Sequence, residues 1–185
     1  LTFLITVAIW QNGNFIGSAQ TIAQVTAKPT WLAEFQLSWM PSLGVSFHLA
    51  IDGLSLLMVS LTAFLGMMAV ACSWGEITRR VGFFHLNLLW SLGGVIGVFL
   101  AIDMFLFFFF WEMMLVPIYF LIAVWGHNAI GGKTKEYAAT KFFIYTQASG
   151  LIMLIGILIL VIIHASTTGQ ITFNYMDLLG TDLGK

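Results

Sequence analysis

Glu112 interrupts the stretch MFLFFFFWEMMLVPIYFLIAVW at residues 104–125, which carries no other charge. A charged side chain near the middle of a spanning helix costs at least about 2.5–3.5 kcal/mol, and such residues generally mark ion or proton pathways. The chemistry expected of Glu112 is therefore proton or cation exchange. Pro117, in the same stretch, lacks a backbone donor and frees the carbonyl of Met113, next to the carboxyl. Freed backbone at this depth is tolerated where neighbouring protein, a side chain or water satisfies it. A buried glutamate beside a proline kink is thus a candidate site for water and protons. The competing reading makes Glu112 a structural carboxyl that pairs two helices.

Other candidates stand nearer the membrane faces. Lys141 opens the next apolar run, and Thr146, Gln147 and Ser149 carry a polar stripe inward from it. The stripe either orders water from the cytoplasm or glues helices together, and Lys141 either handles protons or snorkels to the interface. His127 lies at the same face, and imidazole is the side chain suited to proton exchange at neutral pH. Proton transfer is accordingly assigned to Glu112, Lys141 and His127, with Pro117, Thr146 and Gln147 supporting. His48, His85, His127 and His164 all read as interfacial, and no two share a helix at a spacing suited to one metal or haem. No metal site and no cofactor site is expected. Asp52 and Asp103 stand at helix ends, where a solvated carboxylate can cap the first turn. Gly93 and Gly97 form a Gly-x-x-x-Gly pair suited to helix packing.

The elements that hold these residues follow from composition. At 59% hydrophobic and 8% charged residues, with a mean hydropathy of +0.96, the chain belongs in a bilayer, because a soluble domain is about 25% charged. The net charge of −1, with no long basic run, argues against nucleic acid as a partner. The lone Cys72 excludes an intrachain disulfide and any cysteine-built metal or iron–sulfur site. Hydrocarbon about 30 Å thick needs roughly 20 apolar residues in a helix, and residues 53–74, 83–102, 104–125 and 142–163 meet that length. Little more than Asp103 separates the second and third, so they form a tight hairpin. Arg79, Arg80, Lys133, Lys135 and Lys141 alternate with Asp103 along the chain, which places the basic connections in the cytoplasm and Asp103 outside. The expected division is the end of a truncated spanning helix at 1–10, with no signal peptide; a periplasmic extramembrane loop at 11–48; a four-helix transmembrane region at 49–163; and a periplasmic connecting segment at 164–185. The chain then reads as an internal piece of a longer protein.

Three segments carry a family resemblance: HLAIDGLSLLM at 48–58, FFHLNLLWSLGGVIGVFLAIDMFLFFFFWEMMLVPIYFLIAVWGH at 83–127 and TKFFIYTQASG at 140–150. With them the sequence resembles the M-subunit family of bacterial respiratory complex I, the proton-pumping NADH:quinone oxidoreductase. The resemblance implies an all-α, polytopic membrane helix bundle that is part of an inverted-repeat, antiporter-like fold, here four full spanning helices plus the end of a fifth. It implies that these five are the second to sixth helices of a parent of about fourteen, and that Glu112 pairs with a lysine on a later, broken helix. It further implies a subunit of a translocase in the bacterial inner membrane. Its partners would be other antiporter-like and small membrane subunits, and FMN, iron–sulfur clusters and quinone would be held elsewhere in the complex. The alternatives are a subunit of a sodium/proton antiporter, a hydrogenase membrane arm, or a passive membrane anchor.

Overall fold

The computed structural model describes residues 4–5, 7–8, 31–127 and 134–181. Most of the expected helix end at 1–10, residues 11–30 of the extramembrane loop, Lys133 and residues 182–185 lie outside them. The described chain runs β1 (Ala33–Met40), a 3-10 turn (Pro41–Leu43), β2 (Val45–Ile51), α1 (Gly53–Glu76), α2 (Val81–Leu100), α3 (Met104–Met113), α4 (Leu115–Trp125), α5 (Lys135–Thr168) and α6 (Tyr175–Leu178). Among the described residues, four helical spans are long and apolar enough to cross a membrane, with α3 and α4 together forming the third. This is the helical membrane bundle the sequence leads one to expect. Only 17–22% of the most apolar window of each span is buried, so the outward faces suit lipid or further protein rather than water.

Lipid tails are as apolar as leucine, so close backbone approach rather than hydrophobic exclusion must hold the helices together. Two glycines of α2 provide it. A Cβ on Gly97 would collide with the Phe110 ring, and one on Gly94 would lie 2.8 Å from Cβ of Met114. Gly93, the expected partner of Gly97, has open space in front of it. The packing pair is therefore Gly94 and Gly97, one residue off the Gly-x-x-x-Gly spacing, because three residues apart shares a helix face as well as four.

The last spanning helix also departs from expectation. It starts at Lys135, where the Thr134 hydroxyl accepts from the Tyr137 N–H, and ends at Thr168 against Gly169, after 34 residues. Its length is about 51 Å at 1.5 Å rise. Lys141 thus lies inside the helix instead of opening it. The apolar run measures only the hydrocarbon, whereas the helix satisfies its own backbone and continues past both faces.

The end of the bundle that carries Asp103 is closed by a β-hairpin. β1 and β2 pair antiparallel, Ala33 opposite Ile51, around a tip where Gly44 takes φ +69°. A side chain at Gly44 would be strained there, and a Cβ would run into the backbone of Ile171. The connection between α2 and α3 is threaded between the hairpin and the segment after α5. Ile102 N–H donates to His48 O at 3.0 Å, Met104 N–H to Phe173 O at 2.8 Å and Tyr175 N–H to Ile102 O at 3.0 Å. Asp103 sits at the centre, fully buried. One carboxylate oxygen accepts the N–H groups of Phe105 (2.9 Å) and Leu106 (3.1 Å), and the other accepts the N–H (2.8 Å) and hydroxyl (3.3 Å) of Ser46. Asp103 is therefore a cap as expected but not a solvated one; four donors replace water. Asp52 caps α1 through Ser55 N–H at 2.7 Å and stays partly exposed.

His48 and His164 are both buried within the protein. His48 Nε2 lies 2.8 Å from Glu34 Oε1 and its Nδ1 3.4 Å from Asn174 Nδ2; His164 Nδ1 lies 2.8 Å from Thr181 Oγ1. At the opposite end, Trp125 Nε1 donates to Arg79 O at 3.0 Å and Lys135 Nζ to Val124 O at 2.7 Å.

Candidate functional site

Glu112 is nine residues beyond the Asp103 cap, or about 13.5 Å down α3, near the middle of a hydrocarbon layer of about 30 Å. The half of the phenylalanine run nearer Asp103 is covered by the hairpin. Trp39 meets Phe105 and Phe109 at ring-centroid distances of 6.3 and 6.1 Å, and Phe47 meets Phe110 at 6.3 Å. Aromatic side chains of the hairpin thus pack on α3 between the Asp103 end and Glu112.

At Glu112 the helix is gripped from two sides. Phe110 and Met114 share a face four residues apart and seat on Gly97 and Gly94 of α2. Glu112, midway between them, points roughly the opposite way and presses its carboxyl against Gly150 of α5. Its Oε1 is buried and has no hydrogen-bond partner among the described residues. An unpaired buried carboxyl oxygen is costly and calls for an explanation in water, a proton or a partner.

Just beyond Glu112 the helix breaks at Met114, between α3 and α4. The bonds spanning the break are long, Met114 N–H to Phe110 O at 3.3 Å and Ile118 N–H to Met114 O at 3.4 Å, against a usual 2.9–3.0 Å or so. Pro117, fully buried in the first turn of α4, cannot supply the donor that would keep the ladder intact.

Glu112, Thr146 and Gln147 converge on one interface. The buried residues of α5 are Ala139, Gly150, Ile157, Val161 and His164, a single stripe at helical spacing. Thr146 and Gln147 lie one turn before Gly150, beside that stripe, and both are partly buried. Thr146 Oγ1 donates to Phe142 O at 2.7 Å, back along its own helix. The rings of Tyr119 and Phe143, 5.7 Å apart, join α4 to α5 at the same level.

Lys141 and His127 are not brought to Glu112. Lys141 is nine residues from Gly150, which is two and a half turns, and so projects from the far side of α5 about 13.5 Å away. It is exposed, with Nζ 5.2 Å from the centroid of Tyr137 and 5.9 Å from that of Tyr145. His127 is exposed beyond the end of α4. The residue missed by the sequence reading is Gly150. Its signal was present: a glycine one turn past Thr146 and Gln147, on the face that Ala139 and Ile157 bury.

Among the described residues no group of His, Cys, Asp and Glu could hold a metal ion. The site is a lone carboxyl between helices, and the bundle around it defines the class. Residues 101–182 match the family described as NADH:quinone oxidoreductase/Mrp antiporter, TM. The match makes the chain similar to that family over this segment. The chain is also similar to NADH-quinone oxidoreductase subunit M: 62% identical to that of Escherichia coli K12 over 185 residues, all of this chain and 35% of the relative. It is 60% identical to that of Pseudomonas aeruginosa over 184 residues, 99% of this chain and 35% of the relative. The chain thus spans about a third of the length of these relatives. A chain in the structure of respiratory complex I from Thermus thermophilus with bound NADH superposes with a TM-score of 0.67 at 27% identity, covering 99% of this chain and 33% of that one. A chain of the Mrp complex from a Dietzia species superposes at 0.69 with 22% identity, over 97% of this chain and 17% of that one, a likeness of fold alone.

Proposed function

We propose that this chain is part of a proton-translocating membrane subunit of an NADH:quinone oxidoreductase, with Glu112 as the residue that takes up and releases the proton. The observation that carries the reading is the buried, unpartnered carboxyl oxygen at the interface of α3 and α5. A carboxyl oxygen left unpaired in a spanning segment calls for a partner, and a cation suits it best. In this reading a lysine from elsewhere in the intact subunit is the missing partner, and the carboxyl passes its proton on as that lysine approaches and withdraws. Thr146 and Gln147 lie beside the inward face of α5 and line the supply from the cytoplasm. Lys141 and His127, exposed at the cytoplasmic end, exchange protons at its mouth without touching Glu112. Pro117 keeps the helix broken beside the site.

The driving reaction would take place elsewhere in the complex, on FMN, iron–sulfur clusters and quinone, with this chain packed among other antiporter-like and small membrane subunits of a bacterial inner membrane. The test uses membrane vesicles that carry the intact complex with Glu112→Gln, which removes the charge and keeps the volume. NADH oxidation and the pH gradient are recorded together after assembly has been checked. The expected result is a fall of both by roughly a hundredfold, the scale of a lost acid–base group. Wild-type values for both would leave Glu112 a structural carboxyl. Poor assembly with an unchanged number of protons per electron would instead favour a passive anchor.

A further inference from the structure

We infer that Gly150 is a positioning residue for the Glu112 carboxyl, and that the inference rests on the proton-transfer reading of Glu112. A Cβ built on Gly150 would collide with Glu112 Oε1 and lie 3.1 Å from Cδ and 3.8 Å from Oε2. The obstacle is the carboxyl end of the flexible Glu112 side chain, so a side chain at Gly150 would displace the reacting group rather than the backbone. Gly150 is buried at the centre of the inward stripe of α5, and the α3 helix cannot retreat, because Phe110 and Met114 on its other side already fill the notches at Gly97 and Gly94. The carboxyl therefore occupies a slot opened by the absence of a side chain on Gly150 of α5.

Gly156, farther along α5, has nothing within 4 Å of its built Cβ. The gain in helix propensity and the loss of backbone freedom on Gly→Ala are common to both positions; of the two, only Gly150 faces a carboxyl. The experiment compares Gly150→Ala with Gly156→Ala in the intact complex in vesicles. Gly156→Ala is expected to pump as wild type. Gly150→Ala is expected to lower coupled pumping at least about tenfold, within the scale set by a roughly hundredfold cost for misplacing a reacting group by 1 Å. In infrared difference spectra, the carboxyl band that Glu112→Gln removes is expected to shift in Gly150→Ala.

Glu112→Asp, shorter by one methylene, gives the decisive cross-check. Alone it withdraws the carboxyl and lowers pumping; combined with Gly150→Ala it relieves the collision, so the double variant is expected to lose less than the product of the two single losses. If Gly150→Ala fails to assemble, the double variant decides. Restored assembly supports the slot, and failure of both reduces Gly150 to a packing residue and overturns the inference. Unshifted band and wild-type pumping in Gly150→Ala overturn it as well. The two readings fail separately. If Glu112→Gln pumps normally while the band still shifts in Gly150→Ala, the proton-transfer role falls and the slot stands.

Discussion

Glu112 was legible in the sequence because one charge in an apolar span is an energetic anomaly that needs no structure to notice. Its surroundings were not, because burial of an Oε1 atom depends on which face of another helix meets it. Lys141 illustrates the difference. Its place before a polar stripe suggested a route toward Glu112, yet two and a half turns of helix put it on the opposite side of α5, over Tyr137 and Tyr145. Lys141→Ala is therefore expected to slow proton pumping by no more than about tenfold, the low end of what local charge does to encounter rates. Glu112→Gln should cost roughly a hundredfold. Vesicle pH gradients measured on the two variants side by side make the comparison. A greater loss at Lys141 would mean that it meets the proton path directly.

Spans and caps were readable at the level of elements, since length, hydropathy and Asp or Thr before a helix have local causes. Helix ends were less so; the expected 142–163 became Lys135–Thr168 because nothing in the polar flanks KEYAATK or HASTT stops a helix. The hairpin had no sharp signal either, although the alternation in AEFQLSWM is that of a strand. What gives the hairpin its place is Asp103, a single residue that caps α3 and holds Ser46 of β2. Asp103→Ala would leave four donors without acceptors, and is expected to destabilise the purified subunit by about 3 kcal/mol or more. Asp52→Ala, which orphans the Ser55 N–H at a partly exposed site, should cost only about 1 kcal/mol. Denaturation midpoints in detergent distinguish them; equal shifts would show that burial of Asp103 adds nothing to its capping.

For the whole molecule, the alternation of basic and acidic connections already implied two distinct ends, and the hydrogen bonds gather residues 44–48, 102–104 and 173–175 at one of them. Single cysteines introduced at Ser42 and at Thr78, after replacement of Cys72, are expected to react with an impermeant thiol reagent from outside at Ser42 only. Reaction at Thr78 from outside would reverse the orientation. The end that carries Asp103 also has a consequence in time. His48 and Asn174, which face each other there, are 126 residues apart in sequence. At a synthesis rate of about 5–20 residues per second, the histidine waits roughly 6–25 s for the asparagine to be made. During that interval Glu34, 2.8 Å from its imidazole across the same hairpin, is the partner already present. The seal at this end is in this sense younger than its own first strand, which is among the earliest described residues to leave the ribosome.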